Sequence, residues 1–139
     1  MNLSAPPCCY APSFISQVKK GHHPAGVTGG RVALCGVVVE TVVSCNDGAN
    51  AARPLVVRLD DGTGCLDCAY FRADKHELGA ALRLGDALQV NGTLNTFRDE
   101  IQLRADAVRR VSDANFETLW ISRVVYCSTR KENLSGDGP

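Results

Sequence analysis

Between residues 54 and 60 the chain reads PLVVRLD, with Leu55, Val57 and Leu59 on one side of the alternation and Arg58 and Asp60 on the other. A period of two is the mark of a strand with one buried face. The pattern returns in DALQVNGTLNT (86–96), where Leu88, Val90 and Leu94 face inward and Gln89, Asn91, Thr93 and Asn95 outward. After a turn at FRDE (97–100), IQLRADAV (101–108) sets Ile101, Leu103 and Ala105 against Gln102, Arg104 and Asp106. RVALCGVVVETVV (31–43) is a long β-branched stretch in which Gly36 predicts a bulge or sharp bend. A tight DDGTG turn then leads into CLDCAYF (65–71), a further strand.

The period changes in DKHELGAALRLG (74–85), where Leu78, Ala81 and Leu82 repeat at helical spacing and Gly85 ends the run. Ser112 or Asp113 can cap a final helix, along which Phe116, Leu119, Trp120, Val124 and Cys127 form one stripe. CNDGANAAR (45–53) has turn chemistry throughout, and residues 14–30 read as a short apolar patch followed by a loop. Residues 1–13, rich in Pro and Ala, are expected to be disordered or loosely docked. The element order is β-β-β-α-β-β followed by a helix. That order predicts a mainly β protein, a five-stranded Greek-key barrel of the OB-fold type. The expected layout is a barrel over 14–111, a partner-docking helix over 112–127 and a flexible tail over 128–139.

At 139 residues the chain supports one domain, and 45% hydrophobic residues suffice for a single core. Fifteen basic residues balance fifteen acidic ones, which speaks against holding nucleic acid by bulk charge and calls for few, well-placed contacts or for a place as one subunit of something larger. No apolar run approaches the roughly 20 residues that span a bilayer. The opening MNLSAPPCCY lacks the charged-then-apolar order of a secretory signal. Seven cysteines (8, 9, 35, 45, 65, 68 and 127), odd in number and irregularly spaced, are expected to be reduced thiols in cytosol or nucleus.

Cys65-x-x-Cys68 has the spacing of half a zinc site, yet side chains three apart on a strand point to opposite faces and cannot share a metal. No second pair completes four ligands. His22 and His23 sit in a Gly/Pro loop, and Asp60 and Asp61 are explained by the turn they precede. No nucleophile elbow, phosphate loop or metalloprotease motif occurs. The expectation is no enzyme activity, no cofactor and no metal.

Single-stranded nucleic acid binds barrels by stacking bases on exposed rings while basic side chains follow the backbone. Candidates are Arg58, Phe71, Arg72, Phe97, Arg98 and Arg104. Alternation puts Tyr70 and Phe71 on opposite faces, so at most one of them is a platform. The stripe of Phe116, Leu119, Trp120, Val124 and Cys127 offers more apolar surface than a barrel mouth needs and is expected to dock a partner.

LCGVVVETV, VVRLDDGTGCLDCAYF and LRLGDALQVNGTLNTFRDEIQLRA together resemble the middle OB-fold subunit of the telomere-capping CST complex (the Stn1 family), a relative of the middle subunit of replication protein A. The resemblance covers residues 14 to 127. It rests on Val32 to Val38, Asp60 to Cys68, Gly85 to Gly92 and Phe97 to Ile101, with GHHP near Gly21 similar to the family's G-H-P. It implies a non-enzymatic subunit that pairs with a small OB-fold partner of the Ten1 type and a large subunit. Such a subunit contributes to binding single-stranded telomeric DNA and supports fill-in by DNA polymerase α–primase. It implies a nuclear location at telomeric chromosome ends. An end at Pro139 matches the barrel-only form, without winged helices. Phe71 stands where the family has tryptophan, Phe97 where it has tyrosine and Asn95 where arginine is common; the rings are kept and one phosphate-binding charge is lost. Alternatives are a replication protein A-type subunit, an assembly scaffold without DNA contact, and a zinc or thiol enzyme.

Overall fold

A computed structural model describes residues 10–20, 30–42 and 54–136, with side chains up to residue 129. Cys8, Cys9, Cys45, His22, His23 and the 45–53 turn lie outside the described residues. The elements are β1 (Ala11–Pro12), α1 (Ile15–Lys20), β2 (Arg31–Val42), β3 (Leu55–Asp60), β4 (Cys65–Tyr70), α2 (Lys75–Ala81), β5 (Ala87–Phe97), β6 (Glu100–Arg110) and α3 (Phe116–Gly136).

Strands β2 to β6 close a five-stranded barrel in the order β2-β3-β4-β6-β5, with β5 returning to β2. Closure depends on β2 serving two neighbours. Its first half, Arg31 to Val37, pairs with β5, and its second half, from Val37, pairs with β3. Gly36 sits at the changeover, where a Cβ would lie 2.8 Å from the Asp60 carbonyl oxygen. The predicted bend is therefore a close backbone crossing that tolerates no side chain. A register shift between Val38 and Glu40 adds a bulge just beyond it.

The two hairpins differ in chemistry. Between β3 and β4, Asp60 Oδ1 accepts the Gly62 N–H (2.8 Å) and Asp61 Oδ1 the Thr63 N–H (2.9 Å). Asp61 Oδ2 also accepts the Ile15 N–H (2.8 Å), fastening the start of α1 to the turn. The carboxylate pair is turn chemistry, as the sequence predicts. Between β5 and β6, Arg98 and Asp99 both have positive φ (54° and 66°), the left-handed pair that a two-residue hairpin of matching twist requires.

Alternation places Leu55, Val57, Leu59, Leu66, Leu88, Val90, Leu94 and Leu103 inside the barrel. Leu78 and Leu82, at the helical spacing of α2, pack against this core from one end. Ile15 and Val18 join it from α1, so the apolar patch expected before a loop forms a short helix.

Two expectations are corrected. Tyr10 to Ser13 are not loosely held. Ala11 and Pro12 pair in parallel with Val32 and Ala33, and the Ser13 N–H donates to the Ala33 carbonyl (3.0 Å). The final helix does not stop at Cys127 but runs to Gly136, the first glycine the chain offers as a helix stop. Its first helical bond runs from the Leu119 N–H to the Asn115 carbonyl (3.1 Å), and Asp113, accepting the Asn115 N–H (2.8 Å), holds the turn just ahead of it rather than capping the helix itself.

Candidate nucleic-acid interface

Tyr70 and Phe71 separate as alternation requires. Tyr70 is buried, its hydroxyl donating to Asp74 (2.7 Å), whereas Phe71 is 43% exposed. β4 pairs with β6 in parallel only over Cys68–Tyr70 and Leu103–Ala105, with Ala69 opposite Arg104. That short closure brings the Arg104 guanidinium to 4.8 Å from the centre of the Phe71 ring. Beside them a groove of about 840 Å³ is lined by Phe71, Arg72, Asp74, Arg104 and Asp106.

Phe97, 54% exposed at the β5–β6 hairpin, repeats the arrangement, with the Arg98 guanidinium 5.1 Å from its ring centre. It borders a second groove of about 640 Å³, shared with Lys19, Arg58, Cys65, Asp67 and Gln102. Phe97 is paired with Glu100, four residues along β6 from Arg104, so the two ring–arginine pairs stand roughly 13 Å apart along the strand. A cation on one face of each ring holds it in place, while both residues stay exposed to solvent.

The structure brings Phe71, Arg72 and Arg104 together at one groove and Arg58 and Phe97 at the other, with Arg98 stacked on Phe97. Arg58 is already engaged, its Nε 2.9 Å from Asp67 and Nη1 3.3 Å from Glu40. Lys19, Gln102 and Asp106 were not among the residues predicted. Asp106 is the extra residue in the register shift where Gly92 faces Ala105 and Asn91 faces Ala107, and its carboxylate accepts the Tyr10 hydroxyl (2.9 Å). Tyr10 lies far off in sequence, and only the docked β1 segment could have announced it.

The partner stripe is a correction. Trp120 and Val124 are buried, 7% and 0% exposed, against Ala33 and Cys35 on the outer face of β2, with Tyr10, Phe14, Val111 and Phe116 around them. Trp120 and Val124 hold the helix to its own barrel and are not free for a partner. Small outward residues on β2 make the seat that the large indole fills. Cys127 is half-buried, and Leu119 is exposed. The apolar residues of α3 open to solvent are instead Leu119, Ile121, Val125 and Tyr126. A pocket of about 210 Å³ where α3 meets the barrel has Phe14, Phe116, Trp120 and Ile121 in its wall and Asp60, Asp61 and Glu117 beside them.

Cys65 is half-exposed and Cys68 buried on the opposite face of β4. Burial pushes the Cys68 thiol far above its ordinary range and the Cys35 thiol up to about 11. Both are protonated at neutral pH and poor as nucleophiles or metal ligands. Among the described residues, no three His, Cys, Asp or Glu side chains are grouped to hold a metal, and no helix is long and apolar enough to cross a membrane.

Residues 32–111 match the model of the OB-fold nucleic acid binding domain. The chain belongs to that family. The OB-fold chain is also similar to one from the S. pombe Stn1–Ten1 complex, at 26% identity, with 91% of this chain and 94% of that one covered and a TM-score of 0.67. It shares its fold with a chain of a replication protein A heterotrimer bound to single-stranded DNA (18%, 87% and 96% covered, TM-score 0.68). It does so too with one of the yeast Stn1 and Ten1 structure (15%, 88% and 73%, TM-score 0.62). No match to a curated protein reaches significance. The chain is thus similar to the S. pombe Stn1–Ten1 chain and shares an OB fold with the replication protein A chain.

Proposed function

We propose that this OB-fold chain is a non-enzymatic subunit of a telomere-end-protecting complex of the CST type. It binds single-stranded telomeric DNA across the face between Phe97 and Phe71, pairs with a small Ten1-like OB-fold subunit and a large subunit, and supports fill-in by DNA polymerase α–primase at chromosome ends in the nucleus. The observation that carries the DNA reading is the pair of exposed rings, each under its own arginine, along one outward strand face. Each stacked base contributes roughly 1–3 kcal/mol. Phe71→Ala is therefore expected to weaken binding of a labelled G-rich telomeric strand by about 5- to 150-fold in fluorescence anisotropy, and Phe97→Ala by a similar factor. Binding untouched by both substitutions would refute the assignment. A scaffold without DNA contact is favoured by one observation, the balanced charge of the whole chain, and no binding at low salt would support it.

The small partner docks on the α3 flank formed by Ile121 and Val125, next to the pocket of Phe14, Phe116 and Trp120. The rim carboxylates of Asp60 and Glu117 suit a basic side chain on that partner. Ile121→Glu with Val125→Glu is expected to abolish co-purification of the small subunit without lowering the melting temperature of this chain, since both residues are about half exposed. Retained co-purification would move the partner off this flank.

A further inference from the structure

Glu40, Arg58 and Asp67 are direct cross-strand neighbours, Glu40 opposite Arg58 in β2–β3 and Arg58 opposite Asp67 in β3–β4. Their side chains follow the register, with the guanidinium held at 3.3 Å by one carboxylate and 2.9 Å by the other. One cation between two anions leaves a row of net charge −1 where Arg58 alone would give +1. The row lies on the outward face, and its Asp67 end borders the same groove as Phe97. All three side chains are partly exposed, so each pair is individually weak and screened. A phosphate arriving at Arg58 nevertheless meets two competitors already in place and an opposing field.

We propose that Glu40 and Asp67 limit the affinity of this face for single-stranded DNA by holding Arg58 away from the phosphates. The inference rests on the DNA-binding reading above. Arg58 is then a latent contact rather than a working one, and the chain alone holds DNA loosely. Freed of its carboxylates, the same guanidinium lies on the strand's path and can take up a phosphate.

The test is anisotropy with labelled oligothymidylate at several salt concentrations, using the wild-type chain, Glu40→Gln/Asp67→Asn, the same double variant carrying Arg58→Gln, and Phe71→Ala. The double variant is expected to bind about fivefold more tightly at low salt, with the slope of log K against log salt steeper by about 0.7, one added phosphate contact on a single strand. Adding Arg58→Gln should return the salt slope to the wild-type value and remove most of the gain in affinity. A double variant no tighter than wild type overturns the proposal. So does a triple variant as tight as the double, because the gain would then come from general charge and not from Arg58. Phe71→Ala separates the two readings: indifference to it sinks the ring-stacking site while leaving the ladder's result standing, and binding by none of the four proteins sinks both.

Discussion

Gly92→Ala is expected to lower the melting temperature by roughly 10 °C or more. The added Cβ would lie 2.2 Å from the Arg104 carbonyl oxygen and 3.0 Å from the Ala105 Cα. Both belong to the backbone of the neighbouring strand, which cannot swing aside as a side chain can. β5 and β6 would have to separate at the register shift between Asn91 and Gly92. Overpacking costs about 1–3 kcal/mol where side chains can adjust, and this position belongs at or above the top of that range. Each kcal/mol corresponds to about 2–8 °C in a domain of this size class. A circular dichroism melt within a degree or two of wild type would show that the strands do not approach so closely. The damage should reach the interface too, because the displaced carbonyl belongs to the arginine that stacks on Phe71.

Trp120→Ala combined with Val124→Glu should detach α3 from the barrel. Removing a buried tryptophan side chain costs about 3–5 kcal/mol, and Val124 occupies a site with no solvent exposure at all, where a carboxylate is cut off from water. The readout is rapid proteolysis beyond Val111, with amide exchange rising along β2 at Ala33 and Cys35. Read from the stripe alone, the same pair of substitutions would release a partner and leave the chain folded; an unchanged melt and digestion pattern would restore that reading.

The contrast shows which information local sequence carries. Inward and outward positions in β3, β5 and β6 were legible because each strand states its own two faces, and the separation of Tyr70 from Phe71 follows from the same period. The Asp60–Asp61–Gly62 turn was legible because its hydrogen bonds run between neighbours. What covers the α3 stripe was not, since a helical stripe looks the same whether it meets its own barrel or another chain. The deciding residues, Ala33 and Cys35, are more than eighty positions away, and their small size was the available clue. The engagement of Arg58 was hidden for a similar reason: Glu40 and Asp67 become its neighbours only through strand register. β1 is two residues long and contains a proline, so it has no period to read.

That proline has a consequence of its own. β1 is the outermost strand on the β2 side of the sheet, and α3 packs on it so that Pro12 is buried. Pro12 has no N–H, so the last position of the sheet carries no donor that burial would leave unpaired. A short strand closed by proline lets the sheet end beneath the helix without a stranded donor, and replacing Pro12 by valine would put an N–H into that buried place, at a cost in stability if it meets no acceptor.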